Sequence, residues 1–446
     1  MNNLKLSEII KVTNGNLVYG DDTIINSYST STKTINEGDC FIGLKGSVDG
    51  SKFYLDALNN GASGVIVNKG VIDNYESIPN KFILEVDDTL KALGEIAALK
   101  RSKYNIPVVA VTGSVGKTST KDIIASVLST KYKVLKTIGN YNNDIGMPMT
   151  ILRLKDEEVM VLEMGMNHLG EISYLSNIAK PTLAVITNVG TAHIGNLGSR
   201  ENILKAKLEI KEGLSGKLII NNDNDMLHDY YLNNKDNIVT VGINNESDIM
   251  AKDISYENNT SYKYDNTLIN LKVGGEAFIY NSMLAIAVGK ELGLSTKEIK
   301  EGIENFELTK NRLQIIDVNG YTIIDESYNA NFDSMKEAVN NLGKMNGRKI
   351  AVLGDMLELG DYSKDIHLNI GKVVSNNNID ILVTVGSDSK YINKEVKIEN
   401  YHFDNNEDAI DYLKSIVKEN DKILVKASNS LKFIEIVNSL KGDNYE

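Results

Sequence analysis

Apolar residues in this chain fall in short continuous runs separated by stretches of helical spacing. Val108 to Val111, Val159 to Leu162, Leu183 to Ile186, Lys217 to Asn221 and Ile238 to Val241 read as buried strands. Between such runs apolar residues recur on one helical face, as in Ile123, Ile124, Val127 and Leu128, or Met283, Ile286 and Ala287. The same alternation occupies the first part of the chain in shorter elements. It predicts helices over Leu4 to Val12 and Phe53 to Asn60, and strands at Asp39 to Leu44, Val65 to Val67 and Phe82 to Leu84. It resumes beyond Thr309 with strands at Tyr321 to Ile324, Lys349 to Leu353, Ile381 to Val385 and Lys422 to Val425. Only Tyr262 to Val273 alternates polar and apolar residues in the manner of hairpin strands. Buried strands alternating with amphipathic helices predict parallel sheets in an α/β protein. A length of 446 residues fits about three domains. We expect a small α/β unit over 1–86, a central parallel-sheet unit over 87–309, and a doubly wound, Rossmann-like unit over 310–446.

The chemistry gathers at the ends of these strands. PVVAVTGSVGKTSTKD, from Pro107 to Asp122, passes from a buried strand through a glycine turn into a helix. Backbone N–H groups at a helix N-terminus point at an anion, and the helix dipole adds to their pull. Gly113, Ser114, Val115, Gly116, Lys117, Thr118 and Ser119 therefore form a phosphate cradle, with Lys117 reaching the outer phosphates and the Thr118 hydroxyl ligating Mg2+. The longer phosphate-loop pattern has glycine where this chain has Val111, so this is a shorter form of the loop. Glu163 follows a buried strand at the edge where α/β sheets bind ligands, and suits either a Mg2+ ligand or a solvated strand end. His193, at the next strand end, suits a metal or phosphate role or an ordinary surface position. The asparagine-rich run Gly139 to Asp144 suits a sugar, an amide or a plain turn. Lys205 and Lys207, on a helix over Arg200 to Lys211, read from their spacing as solvated-face residues. Asp325 to Asn331 forms another polar strand end in the C-terminal unit. That unit lacks a phosphate loop and is expected to close over a nucleotide held next door.

Composition restricts the partners. A formal net charge of −12 argues against a nucleic-acid backbone, though not against a nucleotide held by local dipoles and a few lysines. Cys40 is the single cysteine, so no intramolecular disulfide forms and a reducing compartment fits. The stretch MNNLKLSEIIKVTNG lacks the apolar core of a signal peptide, and no run reaches the length of a membrane span. A cytoplasmic protein is expected.

Taken together, the strand-end clusters resemble the Mur ligases, the ATP-dependent amide ligases of peptidoglycan precursor synthesis. The resemblance is carried by the Thr112 to Thr118 loop, GNYNNDIGMP from Gly139, EMGMNHLGEI from Glu163, NVGTAHIGNLGS from Asn188 and AKLEI from Ala206. DESYNANFDSM from Asp325, and LGDMLELG from Leu353 with His367, continue it in the family's order. GDCFIGLKGSVDGSKF from Gly38 is similar to the family's UDP-binding N-terminal domain. The match spans essentially the whole chain.

This resemblance implies that ATP converts the carboxylate of a UDP-linked muramyl peptide into an acyl phosphate, which a dipeptide amine such as that of D-Ala-D-Ala then attacks. It implies Mg2+ at Thr118 and Glu163 with His193 beside them. A second Mg2+ would be bridged by Lys207 as a carbamate (N6-carboxylysine), which turns a cation into an anion. Lys117, Lys207 and His193 become the catalytic candidates. Asn142, Asn143, Asn167 and His168 would face substrate and phosphates, and Ser31, Thr32, Lys33, Lys45 and Gly46 the UDP end. Asn281, Arg312, Asp325, Tyr328, Asn329 and Asn331 would meet ATP or the reacting centre. The implied partners are small molecules, and a monomer is expected.

The chain departs from the family at several positions. Ser31-Thr32-Lys33 replaces Asp-Ser-Arg, Ser51 a histidine, Phe278 an asparagine and Glu326 an aspartate. Lys426-Ala427-Ser428-Asn429 stands where the family has Lys-Gly-Ser-Arg, which removes a guanidinium fork from the end of the site expected to meet the amine or its carboxylate. Two alternatives stay open: a paralogue joining a different amine or carboxylate, and a non-catalytic ATP-binding partner.

Overall fold

The computed structural model describes residues 3–256, 260–307 and 313–442. In it the N-terminal strands β1 (Asn16–Tyr19), β2 (Tyr28–Ser29), β3 (Cys40–Ile42), β4 (Gly64–Asn68) and β5 (Phe82–Val86) form one sheet in the order β1-β5-β4-β3-β2. Only β1 runs antiparallel to its neighbour. Leu4–Lys5 pairs with Ile24–Ile25, so the first helix starts later than its apolar spacing suggests, at Leu6. Helix α1 (Thr89–Ser102) follows β5, with Asp88 as its N-cap accepting from the Leu90 and Lys91 amides. Its Leu93, Ile96 and Ala97 share one core with Leu84 of β5 and with Met164 and Ile172 of the central unit. That common core fixes the N-terminal unit on its neighbour.

The central apolar runs are strands of a seven-stranded, wholly parallel sheet. In chain order they are β6 (Val108–Thr112), β7 (Val134–Lys136), β8 (Val159–Glu163), β9 (Leu183–Ile186), β10 (Lys217–Asn221), β11 (Ile238–Gly242) and β12 (Ile249–Met250), arranged β12-β11-β10-β9-β6-β8-β7. β6 is buried along its length, with β9 on one side and β8 on the other. Continuous apolarity is what burial on both faces requires. Helices α2 (Lys117–Leu128), α3 (Gly146–Leu152), α4 (Glu171–Ala179) and α5 (Arg200–Leu208) connect the strands. The expected hairpin is a three-stranded antiparallel sheet of Lys252–Ser255, Ser261–Tyr264 and Thr267–Asn270. Helix α6 (Glu276–Glu291) and helix α7 (Thr296–Asn305) then pack back on α2.

In the C-terminal unit β13 (Gln314–Val318), β14 (Tyr321–Asp325), β15 (Lys349–Gly354), β16 (Ile381–Val385), β17 (Glu399–Phe403) and β18 (Lys422–Lys426) form a second sheet, ordered β13-β14-β18-β15-β16-β17. Five strands are parallel, as expected of a doubly wound unit, and β13 is an antiparallel edge. The turn joining β13 to β14 explains the exception. Asn319 and Gly320 sit at φ 48° and 86°, the two positive values of a tight hairpin turn. Helices α8 (Phe332–Gly343) and α9 (Ser363–Ser375) cover one face of this sheet. The expected junction at Thr309 lies outside the described residues. Among those residues no helix is long and apolar enough to cross a membrane.

α7 braces the phosphate-loop helix through a glycine. Ser126 Oγ donates to the Gly302 carbonyl at 2.6 Å, and a β-carbon on Gly302 would lie 2.3 Å from the Val127 Cα. Gly302→Ala should therefore destabilise the protein by about 1–3 kcal/mol. Urea unfolding checks this, and an unchanged midpoint would show that the two helices are free to separate.

Candidate functional site

β6 ends at Thr112, and the chain turns through Gly113 to Gly116 into α2. Gly116, the N-cap residue, has φ 81°, where a side chain is strained. The turn is gripped from the adjacent strand end. Asn188 Oδ1 accepts from the Ser114 and Val115 amides at 3.1 and 2.9 Å, and Thr187 Oγ1 donates to the Val115 carbonyl at 2.6 Å. With those amides engaged, the donors that can face an anion are those of the first turn of α2, where the helix dipole is concentrated. Lys117 Nζ folds back to donate to the Gly113 carbonyl at 2.8 Å. Asn281, on α6, accepts from Thr120 Oγ1 at 3.0 Å and so buttresses that first turn.

Glu163 closes β8 beside this loop and is buried. Its amide donates to Thr137 Oγ1 at 3.0 Å, and its Oε1 accepts from Asn142 Nδ2 at 2.8 Å. Thr137 is itself held by the buried Lys121, whose Nζ donates to its carbonyl at 2.9 Å. Glu163 Oε2 is buried with no hydrogen-bond partner among the described residues. An orphaned carboxylate oxygen is costly unless a cation meets it. Thr118, Glu163 and His193 line the same cleft. A hydroxyl and one carboxylate beside bound phosphate oxygens form the kind of donor set that Mg2+ takes, so these residues fit that ion.

Lys207, on α5, is 1% exposed. Burial, with the Lys117 charge nearby, pushes its ammonium well below the usual lysine range. That shift favours the neutral amine, whose lone pair is nucleophilic, over the ammonium. The spacing-based reading of Lys207 as a solvated-face residue is thus overturned by the packing of α5 against the sheet.

The cleft has a volume of about 1100 Å³, and its far wall comes from the C-terminal unit through Glu326, Tyr328, Asn329, Asn331, Lys426 and Asn429. Lys426 Nζ donates to Glu326 Oε2 at 2.9 Å and to the Asn329 carbonyl at 3.1 Å. Asn429 Nδ2 donates to the Tyr328 carbonyl at 2.9 Å, and Asn331 caps α8 by accepting from the Ser334 amide at 2.9 Å. The two units also touch at the rim, where Asp333 Oδ2 accepts from the Thr191 amide at 2.8 Å and its hydroxyl at 3.2 Å.

Comparison with known proteins agrees with this geometry. The Mur ligase middle domain matches residues 111–289, and the Mur ligase glutamate ligase domain matches residues 311–429. A Bacillus subtilis UDP-N-acetylmuramoyl-tripeptide–D-alanyl-D-alanine ligase is 37% identical, the alignment covering 98% of this chain and 97% of that one. The chain belongs to the Mur ligase family. A crystal structure of MurF from Acinetobacter baumannii superposes with a TM-score of 0.91 at 30% identity, covering 99% of this Mur ligase and all of that chain. MurF ligase from Thermotoga maritima, solved in complex with ADP, gives a TM-score of 0.82 at 29% identity over 94% of this chain and 98% of that one.

Of the residues singled out in the sequence of this Mur ligase, Ser114 to Ser119, Asn142, Asn143, Glu163, Asn167, His193, Asn281, Tyr328, Asn329 and Asn331 line the cleft. Gly113 supports it through its carbonyl. Asp325 is buried behind the wall, accepting from the Ser327 amide at 3.0 Å. Lys207 and His168 are not on the lining, nor are Ser31, Thr32, Lys33, Lys45 and Gly46 of the N-terminal unit. Arg312 lies outside the described residues. Sequence reasoning assigned no role to Asn188, Asp333 or Glu358. Asn188 carried a signal, standing two residues past a buried strand at the head of a quoted motif; the other two act through contacts between units, which spacing does not reveal.

Asn188→Ala should leave the Val115 amide without its acceptor and the Ser114 amide with only the main-chain carbonyl of residue 188, 3.1 Å away. ATP binding should weaken by about 1–2 kcal/mol, roughly five- to thirtyfold. Titration calorimetry reads this directly, and native affinity in the variant would show that the loop holds its own shape.

Proposed function

We propose that this Mur ligase joins the carboxylate of UDP-N-acetylmuramoyl-tripeptide to the amine of D-alanyl-D-alanine with consumption of ATP. The observation that carries the reading is one cleft in which the phosphate loop and Glu163 face the polar strand ends of the C-terminal unit. End-to-end similarity to ligases named for that reaction supports it, as does the relative solved with ADP. The reading places the reaction in the cytoplasm, where ATP is available.

In the first step a tripeptide carboxylate oxygen attacks the γ-phosphorus. The bond to the β,γ-bridging oxygen breaks, and ADP leaves with that electron pair. The dipeptide nitrogen then attacks the acyl carbon, loses a proton and expels phosphate. Lys117 and the first-turn amides of α2 would stabilise charge on the transferring phosphoryl group. Thr118 and Glu163 would hold Mg2+ with His193 beside them, and the ion would neutralise charge on the phosphate oxygens. Asn142 holds the Glu163 carboxylate through Oε1, so Oε2 would be the oxygen left to meet the cation. In its neutral form the Lys207 amine would add CO2 and lose a proton, giving a carbamate able to meet a second Mg2+. The walls of the cleft would limit water around the acyl phosphate, and catalysis would consist mainly of positioning.

Steady ADP release should require both UDP-N-acetylmuramoyl-tripeptide and D-Ala-D-Ala, and Lys117→Ala should lower it by at least about a hundredfold. Release without the tripeptide, or a preference for single amino acids over the dipeptide, would sink the substrate assignment. Lys207→Ala should keep the native circular dichroism spectrum yet lose turnover. Isotopically labelled bicarbonate should give a carbamate resonance in the native protein and none in Lys207→Arg; the same resonance in both would remove Lys207 as its site.

A further inference from the structure

The LGDMLELG motif contains Glu358, to which the chemistry above gives no role. This residue leaves the C-terminal unit between β15 and α9 and reaches the central one. Its carbonyl accepts from the Gly195 amide at 3.1 Å, and its Oε2 lies 2.6 Å from His193 Nδ1, an ion-pair approach off the ideal N–H direction. His193 and Glu358 both have left-handed backbones, at φ 63° and 62°. Such conformations cost energy in residues with side chains and persist only where the surroundings enforce them.

The surroundings do enforce them. A β-carbon on Gly195 would lie 2.6 Å from the Glu358 carbonyl oxygen and the Gly360 nitrogen, so only glycine allows the two segments this close. Behind Glu358 the loop is pinned by the Met356 amide donating to Nε2 of the buried His367 at 3.0 Å, and by the Leu357 amide donating to Ser428 Oγ at 2.9 Å. A rigid loop thus delivers one carboxylate to one imidazole. Glu358 is half-exposed, and an ion pair in that setting adds little stability. What the contact supplies is orientation. A carboxylate at one ring nitrogen fixes the ring and leaves the other nitrogen for the reacting side.

We propose that Glu358 is a positioning residue for His193, lending its carboxylate across the unit interface so that the imidazole is oriented only when the C-terminal unit is seated. The proposal rests on the ligase reading above for what His193 serves, while the contact itself can be tested without turnover.

Glu358→Gln in the full chain should lower kcat by roughly ten- to a hundredfold while KM for ATP stays within about twofold. In a His193→Ala background the same substitution should cost nothing further, because a residue acting through His193 has nothing left to act on. Independently of turnover, nitrogen NMR of the imidazoles, with only 5 histidines to assign, should show the His193 Nδ1 resonance move in Glu358→Gln. A buried structural change would instead shift His367. Additive losses in the double variant, or an unmoved His193 resonance, would overturn the proposal. Failure of the native protein to turn over its two substrates would count against the ligase reading alone, since the imidazole spectrum would still decide the role of Glu358.

Discussion

Because the seven strands of the central sheet run parallel, each releases its chain at the same edge, and the polar residues that follow are confined to one side of the molecule. The three strands that matter are neighbours. β9, β6 and β8 end in Asn188, the phosphate loop and Glu163, so the loop is flanked by the residue that grips it and by the carboxylate that would face its metal. The C-terminal sheet repeats the device. β14, β18 and β15 are also adjacent and end in the Glu326 to Asn331 cluster, the Lys426 to Asn429 cluster and the Asp355 to Glu358 loop. Two carboxyl edges turned towards each other define the cleft, and neither edge holds the full set of groups by itself.

Much of this was legible from the sequence, because a strand buried on both faces must be apolar throughout. β6, β8, β9 and β16 announce themselves in this way, and the residue after each run is then a candidate by position alone. Elements lacking that constraint were harder to see. β13 and β17 are edge strands with mixed residues, and α7, though capped by Ser295 with Glu298, carries few apolar positions. The Asn319-Gly320 turn was a readable hairpin signal and would have placed β13. The site divided similarly. Residue types and order pointed to the phosphate loop, Glu163 and His193, which line one cleft, but nothing in the spacing showed that Asn281 bonds Thr120, or that Glu358 meets His193 from another unit. Such contacts depend on three-dimensional approach, and Lys207 shows the cost of ignoring it, since a charged residue in a helical pattern reads as exposed until the packing is known.

The cleft and the layer behind it also concentrate groups that a folding chain would otherwise keep in water. Lys207 is buried beside another cation, Glu163 has an orphaned oxygen, and Glu337 on the far wall has its carboxyl pushed up to about 7 by burial and by the Glu326 charge. Lys426 partly balances that wall through its ion pair with Glu326. Unpaired buried charge destabilises a fold, whereas bound cations and phosphates of the right sign remove the penalty. The arrangement is therefore better suited to a loaded site than to stability alone, as expected where function competes with packing.

The loop from Thr187 to Ser199 joins these parts. Its first residues hold the phosphate loop through Thr187 and Asn188. Its middle meets the C-terminal unit, with the Thr191 amide on Asp333, the Gly195 amide on the Glu358 carbonyl, and the Gly198 carbonyl accepting from the Tyr362 hydroxyl at 2.8 Å. Its last residue, Ser199, caps α5, the helix that carries Lys207. One short segment therefore touches the nucleotide cradle, the unit interface and the helix of the buried amine. Several of these contacts are hydrogen bonds to its backbone, which resist sliding more than exposed ion pairs of long side chains do. A shift of the C-terminal unit must either break those bonds or move this segment. The segment cannot move far without disturbing Asn188 at one end or α5 at the other, which gives unit seating a direct mechanical route to the phosphate site.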